Sequence, residues 1–146
     1  MAVLRIFTDG ASRGNPGEAA AGVAIYGAEG TLISGHHQYL GLHTNNEAEY
    51  LAVKYSLTWF ETSEGRQALE SGEIDKIEWY LDSKLVVEQL MKRWKIKEAR
   101  LAALALEIWQ ELTKVNLNYS FHHVPREQNK LADSLANQAL DERAGA

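Results

Sequence analysis

A chain of 146 residues, 45% of them hydrophobic, can build one domain around one core, and no low-complexity tract points to disorder. No apolar run reaches the roughly 18 residues of a membrane span, and the absence of cysteine excludes disulfide frameworks, thiolate metal sites and cysteine nucleophiles, which suits a reducing cytoplasm. A formal charge of −5 argues against holding a polyanion by bulk charge, yet Lys92, Arg93, Lys95, Lys97 and Arg100 crowd into one short stretch.

Residues 3–9 (Val-Leu-Arg-Ile-Phe-Thr-Asp) read as a strand that ends at the turn signal Asp9-Gly10, with Gly14-Asn15-Pro16-Gly17 continuing the turn. This opening is too short and too soon interrupted to be a secretory signal. Residues 20–27 and 31–40 are two further strand-like runs, and short links between three successive strands imply an antiparallel meander. Thr44-Asn45-Asn46-Glu47 is a capping box that opens a helix, whose 3.6-residue period puts Ala48, Leu51, Ala52, Tyr55 and Trp59 on one face. Residues 62–73, with two glycines and several charges, read as a solvated connection with room for a helical turn.

A fourth strand, residues 76–82, ends on Asp82, and Ser83 caps a short helix over 84–91. A long helix over 98–114 carries an apolar stripe of Leu101, Leu104, Ala105, Ile108 and Leu112. Residues 117–123 form a fifth strand, broken at Val124-Pro125. The last helix, over 127–142, is expected to bury Leu131, Leu135, Ala139 and Leu140, leaving 143–146 as a flexible tail. The order βββαβααβα describes a single α/β domain over residues 1–142 with one mixed sheet.

Asp9 and Asp82 each close an apolar strand. If those strands are neighbours, both carboxylates emerge at one end of the sheet, where ligands collect in open α/β folds. Glu47 and Glu49 diverge on the helix; the capping box accounts for Glu47, so Glu49 is left for a site. Asp133 lies at the edge of the last helix's buried face, with Arg126, Asn129 and Asn137 spaced to form a polar ridge around it. Clustered carboxylates repel unless cations intervene, and oxygen donors without cysteine favour hard ions such as Mg²⁺ or Mn²⁺. Two such ions about 4 Å apart suit in-line displacement at phosphorus, which describes a metal-dependent phosphodiester hydrolase.

These residues resemble ribonuclease H of type 1. Ile6-Phe7-Thr8-Asp9-Gly10-Ala11 with Gly14-Asn15-Pro16-Gly17 is similar to the family's opening, and Thr44-Asn45-Asn46-Glu47-Ala48-Glu49-Tyr50 to its TNNxxE helix start. Tyr80-Leu81-Asp82-Ser83 matches its DS strand end, and Asn129-Lys130-Leu131-Ala132-Asp133 its NxxAD segment. The resemblance spans residues 5–140 and implies a ribonuclease H-like fold, with a five-stranded mixed sheet, three strands antiparallel and then two parallel, flanked by helices. It implies that Asp9, Glu49, Asp82 and Asp133 hold two Mg²⁺ ions, Mn²⁺ being a possible substitute, with Asp9 bridging. It further implies hydrolysis of the RNA strand of RNA/DNA hybrids to 5′-phosphate and 3′-hydroxyl ends. Gly10, Asn15, Asn45 and Asn46 would approach the minor groove, and Thr44 and Asn15 the DNA strand or its phosphates. Asn129 is expected among the substrate-facing groups.

The chain departs from many members in two places. Only Lys92-Arg93-Trp94-Lys95-Ile96-Lys97 stands where others insert a basic protrusion, as in a compact subgroup. Lys92, Trp94 and Lys95 either replace that handle weakly or form a solvated linker. The segment His122-His123-Val124-Pro125-Arg126-Glu127 resembles a subgroup in which arginine works near the scissile phosphate. That favours Arg126 over His123, which would then end the fifth strand facing the core. The start of the chain and the capped final helix suggest a free-standing monomer rather than a reverse transcriptase domain. A non-catalytic hybrid-binding module is the alternative, against which the full set of four carboxylates counts.

Overall fold

A computed structural model describes residues 2–145. Strands β1 (Ala2–Gly14), β2 (Gly17–Tyr26) and β3 (Leu32–His43) form the antiparallel meander expected from their short links. β4 (Ile74–Leu81) then pairs parallel with β1, and β5 (Asn118–His123) parallel with β4, giving the five-stranded order β3-β2-β1-β4-β5. The crossovers are helical: α1 (Asn45–Leu57) leads through a 3₁₀ turn into α2 (Ser63–Glu70), while α3 (Lys84–Leu90) and α4 (Ala99–Val115) separate β4 from β5. α5 (Lys130–Ala144) closes the described chain. Among the described residues no helix is long and apolar enough to cross a membrane.

One face of the sheet packs on α1 and α4. Leu4, Ile6, Ile77, Trp79, Leu81 and Phe121 meet Tyr50, Val53, Leu57 and the stripe Leu101, Leu104, Ala105, Ile108 and Leu112, all buried as the period of α4 predicts. Burying each such side chain contributes about 1.5–3 kcal/mol. The indole of Trp79 satisfies its N–H on Ser56 Oγ at 2.9 Å. On the other face α5 lies across β2, whose run Ala19-Ala20-Ala21-Gly22-Val23-Ala24-Ile25 is buried on both sides. Next to α5 on that face, the rings of Phe7, Tyr80 and His122 stack in a row across β1, β4 and β5.

Several boundaries differ from the sequence expectation, each for a tertiary reason. β1 does not stop at Asp9. It continues to Gly14 because β2 pairs with it throughout, Asp9 opposite Gly22 and Gly14 opposite Gly17. Gly10 is therefore no turn residue: a β-carbon there would overlap the Ala48 carbonyl, and its absence lets α1 lie against β1. Residues 63–70 are a full helix, capped by Thr62 Oγ1 accepting from the Gly65 amide. The buried face of α1 is broader than one stripe and includes Glu49, Tyr50, Val53 and Ser56, because sheet and α4 cover it together. Leu51 and Tyr55 are only partly buried.

α5 also turns differently from its leucine pattern. Ala132, Ala136, Ala139 and Leu140 face inward, Leu135 is half-buried and Leu131 is exposed. The phase is set at Gly22, where a β-carbon would overlap the Ala132 carbonyl oxygen, so small residues on both partners allow close approach. The expected flexible tail at 143–146 is helical at its start. The helix runs through Ala144, and Arg143 lies 4.8 Å over the Tyr39 ring; residue 146 lies outside the described residues.

Candidate active site

The last parallel pair between β1 and β4 joins Phe7 to Tyr80, so Asp9 and Asp82 each stand two residues beyond it. Asp9 is held in the β1–β2 ladder, while Asp82 follows the end of β4, where Ser83 caps α3 by accepting from the Val86 amide. Adjacent parallel strands in this register bring the two carboxylates to one place. Glu49 arrives from α1, whose start is fixed by the expected capping box: Thr44 Oγ1 accepts from the Glu47 amide at 3.2 Å, and Glu47 Oε1 from the Thr44 amide at 2.8 Å. Because Gly10 admits α1 so closely, its amide donates to Glu49 Oε1 at 2.6 Å.

One carboxylate oxygen each from Asp9, Glu49 and Asp82 falls within 4.8 Å of the others. Asp9 and Glu49 are buried and Asp82 half-buried. Burial, then the charges of Glu49 and Asp82, pushes the Asp9 carboxyl up to about 10. Burial and the charge of Asp82 push Glu49 up to about 8, against the Gly10 amide, which favours its ionised form. Burial also raises Asp82, while Arg126 opposes the rise and Asp133 adds to it. Glu49 Oε2 is buried with no hydrogen-bond partner among the described residues. A convergent set of oxygen donors, crowded enough to hold protons and with one buried oxygen unpartnered, fits a hard divalent cation.

The surrounding cleft, about 500 Å³, is also lined by Arg13, Asn45, Asn46, Arg126, Asp133 and Asn137. Asp133, in the first turn of α5, stands outside the tight group of three. Arg126 Nη2 lies 3.8 Å from its Oδ1, with the arginine itself largely exposed. The hairpin reaches the helix start through Asn15, whose Oδ1 accepts from the Asn45 amide at 3.0 Å.

Other expected site residues are placed elsewhere. Asn129 is buried and donates from Nδ2 to the Thr8 carbonyl at 2.9 Å, tying the start of α5 to β1 beside Asp9; the polar ridge is broken there. His123 ends β5 and is exposed rather than core-facing, and it is not among the residues lining the cleft. Lys92, Trp94 and Lys95 are exposed and line a separate groove with Gln89, Arg93 and Trp109, with Lys92 Nζ 4.7 Å over the Trp109 ring. Arg13 and Ser12, which line the cleft, gave no sequence signal beyond their place before the glycine turn.

A parallel-core sheet with carboxylates at one end of its central strands defines a reverse transcriptase-like domain, and the family of that description matches residues 7–139. Ribonuclease HI of Halobacterium salinarum is 37% identical over 139 residues, covering 95% of this chain and 65% of the relative. Ribonuclease H of Ruthia magnifica subsp. Calyptogena magnifica is 32% identical over 155 residues, covering 97% of each. The LC11 ribonuclease H1, isolated from compost by a metagenomic approach and solved in complex with RNA/DNA hybrid, gives a TM-score of 0.85 at 35% identity, covering 97% of this chain and 99% of that one. The chain belongs to the type 1 ribonuclease H family, whose members are metal-dependent nucleases. It spans 65% of the Halobacterium relative and 36% of the mycobacterial relatives it matches.

Proposed function

We propose that this protein is an endonuclease that hydrolyses the RNA strand of RNA/DNA hybrids, with two divalent cations held by Asp9, Glu49, Asp82 and Asp133. The observation that carries the reading is the convergence of Asp9, Glu49 and Asp82 oxygens within 4.8 Å around an unpartnered Glu49 oxygen. The hybrid bound to the LC11 relative supports the substrate class. When bound there, Mg²⁺, or Mn²⁺ in its place, would supply Lewis acidity toward the attacking water and the leaving oxygen, and the ends expected are 5′-phosphate and 3′-hydroxyl.

The remaining work falls to the chain's own groups. Asp9, fixed in a paired strand, would hold the cations together with Glu49, whose Oε1 is anchored by the Gly10 amide. Gly10, Asn45 and Asn46 line the cleft, with Asn15 bonded to the Asn45 amide and Thr44 capping the same helix start, a polar edge suited to the minor groove where the 2′-hydroxyl distinguishes RNA from DNA. Arg126, exposed on the cleft wall 3.8 Å from Asp133 Oδ1, neutralises the scissile phosphate. His123, outside the cleft, has no part in the step. Lys92, Trp94 and Lys95 in their own groove make a second, weaker contact with the same duplex, strongly dependent on salt. We further place the protein in the cytoplasm as a monomer, in keeping with a cysteine-free chain.

The test is cleavage of one labelled sequence presented as RNA/DNA hybrid, RNA duplex and DNA duplex, with Mg²⁺ and with EDTA. The expected result is cutting of the RNA strand of the hybrid alone, abolished by EDTA. Hybrid binding without cutting under any divalent ion would overturn the reading in favour of a binding module.

A further inference from the structure

The position of Asp133 is governed by a chain of side chains that the proposed chemistry leaves unused. One turn along α5, Asn137 Nδ2 donates to the Asp133 carbonyl at 3.0 Å and to Asp133 Oδ1 at 3.3 Å. The amide oxygen of Asn137 accepts from Arg13 Nη2 at 3.5 Å, and the same nitrogen donates to Asp141 Oδ1 at 2.5 Å. Arg13 comes from the far end of β1, so the link joins the first hairpin to the last helix. An asparagine amide can be set either way round. Were this one reversed, its oxygen would face the Asp133 carboxylate and its NH₂ the guanidinium, two repulsive contacts in place of two attractive ones. Arg13, anchored on Asp141, therefore selects the orientation in which Asn137 donates to Asp133. Asparagine is also less favourable than alanine inside a helix, a cost that a purely solvated position would not require. Arg126 approaches Oδ1 as well, so both neighbours engage the same oxygen.

We propose that Asn137 is a positioning residue for Asp133, locked by Arg13, and that it sets the affinity of the site for its divalent cations. This rests on the reading of Asp133 as a cation ligand. The test uses the full chain with Mn²⁺ alone, binding being followed by loss of the free ion's electron paramagnetic resonance signal, for the parent, Asn137→Ala, Arg13→Gln and Asp133→Asn. Asn137→Ala is expected to weaken Mn²⁺ binding about 10-fold, the scale found when a group supporting a metal ligand is removed. Arg13→Gln, at an exposed strand end that tolerates change even if Asn137→Ala does not fold, shifts it in the same direction by less. In cleavage assays, excess cation recovers part of the lost kcat while KM for the hybrid stays put. If Asp133→Asn weakens Mn²⁺ binding but Asn137→Ala does not, the positioning role falls and the ligand reading stands. If Asp133→Asn leaves Mn²⁺ binding unchanged, the ligand reading falls and takes this inference with it. A raised KM with unaltered Mn²⁺ binding makes Asn137 a substrate contact and also overturns the proposal.

Discussion

Asp9 is buried beside Glu49 and Asp82, and burial first, then the charges of those two carboxylates, make its own charge unwelcome in the cation-free protein. Asp9→Asn keeps the shape and removes the charge. Cleavage is expected to fall by at least about 1000-fold, the loss of several kcal/mol of transition-state stabilisation, while the cation-free melting temperature rises by a few degrees. Initial rates on hybrid and a thermal melt in EDTA measure the two; cleavage that survives the change would remove Asp9 from the bridging role. Arg126 and His123, two candidates only three residues apart in sequence, stand in different surroundings. Arg126 faces the cleft and His123 does not. Arg126→Ala is therefore expected to lower kcat by about 10- to 100-fold and His123→Ala by less than about twofold, in keeping with an electrostatic contact to phosphate. The opposite ranking in single-turnover rates would return the role to the histidine.

At the level of elements, the sheet and helices were legible wherever one local signal decided the matter. The Thr44–Glu47 capping box, the Ser83 cap and the α4 stripe all stand where the pattern placed them. The misreadings share one cause, which is that long-range approach overrode local preference. Asp9-Gly10 has the composition of a turn, but the glycine is there to admit α1, and the strand continues under β2. In α5 the leucines suggested a core stripe, but alanines meeting Gly22 determined which side turned inward. Of the site, Asp82 was readable from a strand end and Glu49 from the capping box, whereas Asp9 lies inside a strand that continues and Asp133 stands outside the convergent three. The Arg13–Asn137 link was not, since nothing local relates residues so distant in sequence. Gly22→Ala tests the packing argument directly. The added methyl must push α5 from β2, so a stability loss of about 3 kcal/mol or more is expected in denaturant unfolding, with cleavage lost through Asp133 even in molecules that remain folded. Native stability and activity in that variant would show that α5 has slack the geometry denies.

Across the whole molecule, the carboxylate cluster makes stability a function of pH and cation together. Asp9 and Glu49 have folded-state proton affinities raised to about 10 and about 8, above the ordinary carboxylate range. The folded chain thus binds more protons than the unfolded one between about pH 4 and about pH 10, and stability must fall as pH rises through that window. Divalent cations favour the ionised forms, so melting curves in Mg²⁺ are expected to be flatter with pH than those in EDTA. Parallel pH slopes in the two conditions would mean that the ions do not reside at this cluster. The four carboxylates come from β1, α1, the end of β4 and α5, so each belongs to a different element. No contiguous piece of the chain holds a working set. During synthesis, a nascent polypeptide bears the first three carboxylates well before the helix carrying Asp133 has left the ribosome and docked on β2. If the proposed function holds, it lacks until then the full ligand set needed to cut nucleic acid. On the proposed reading, the placement of Asp133 on α5 acts as a safety catch, released only when that helix has docked on β2.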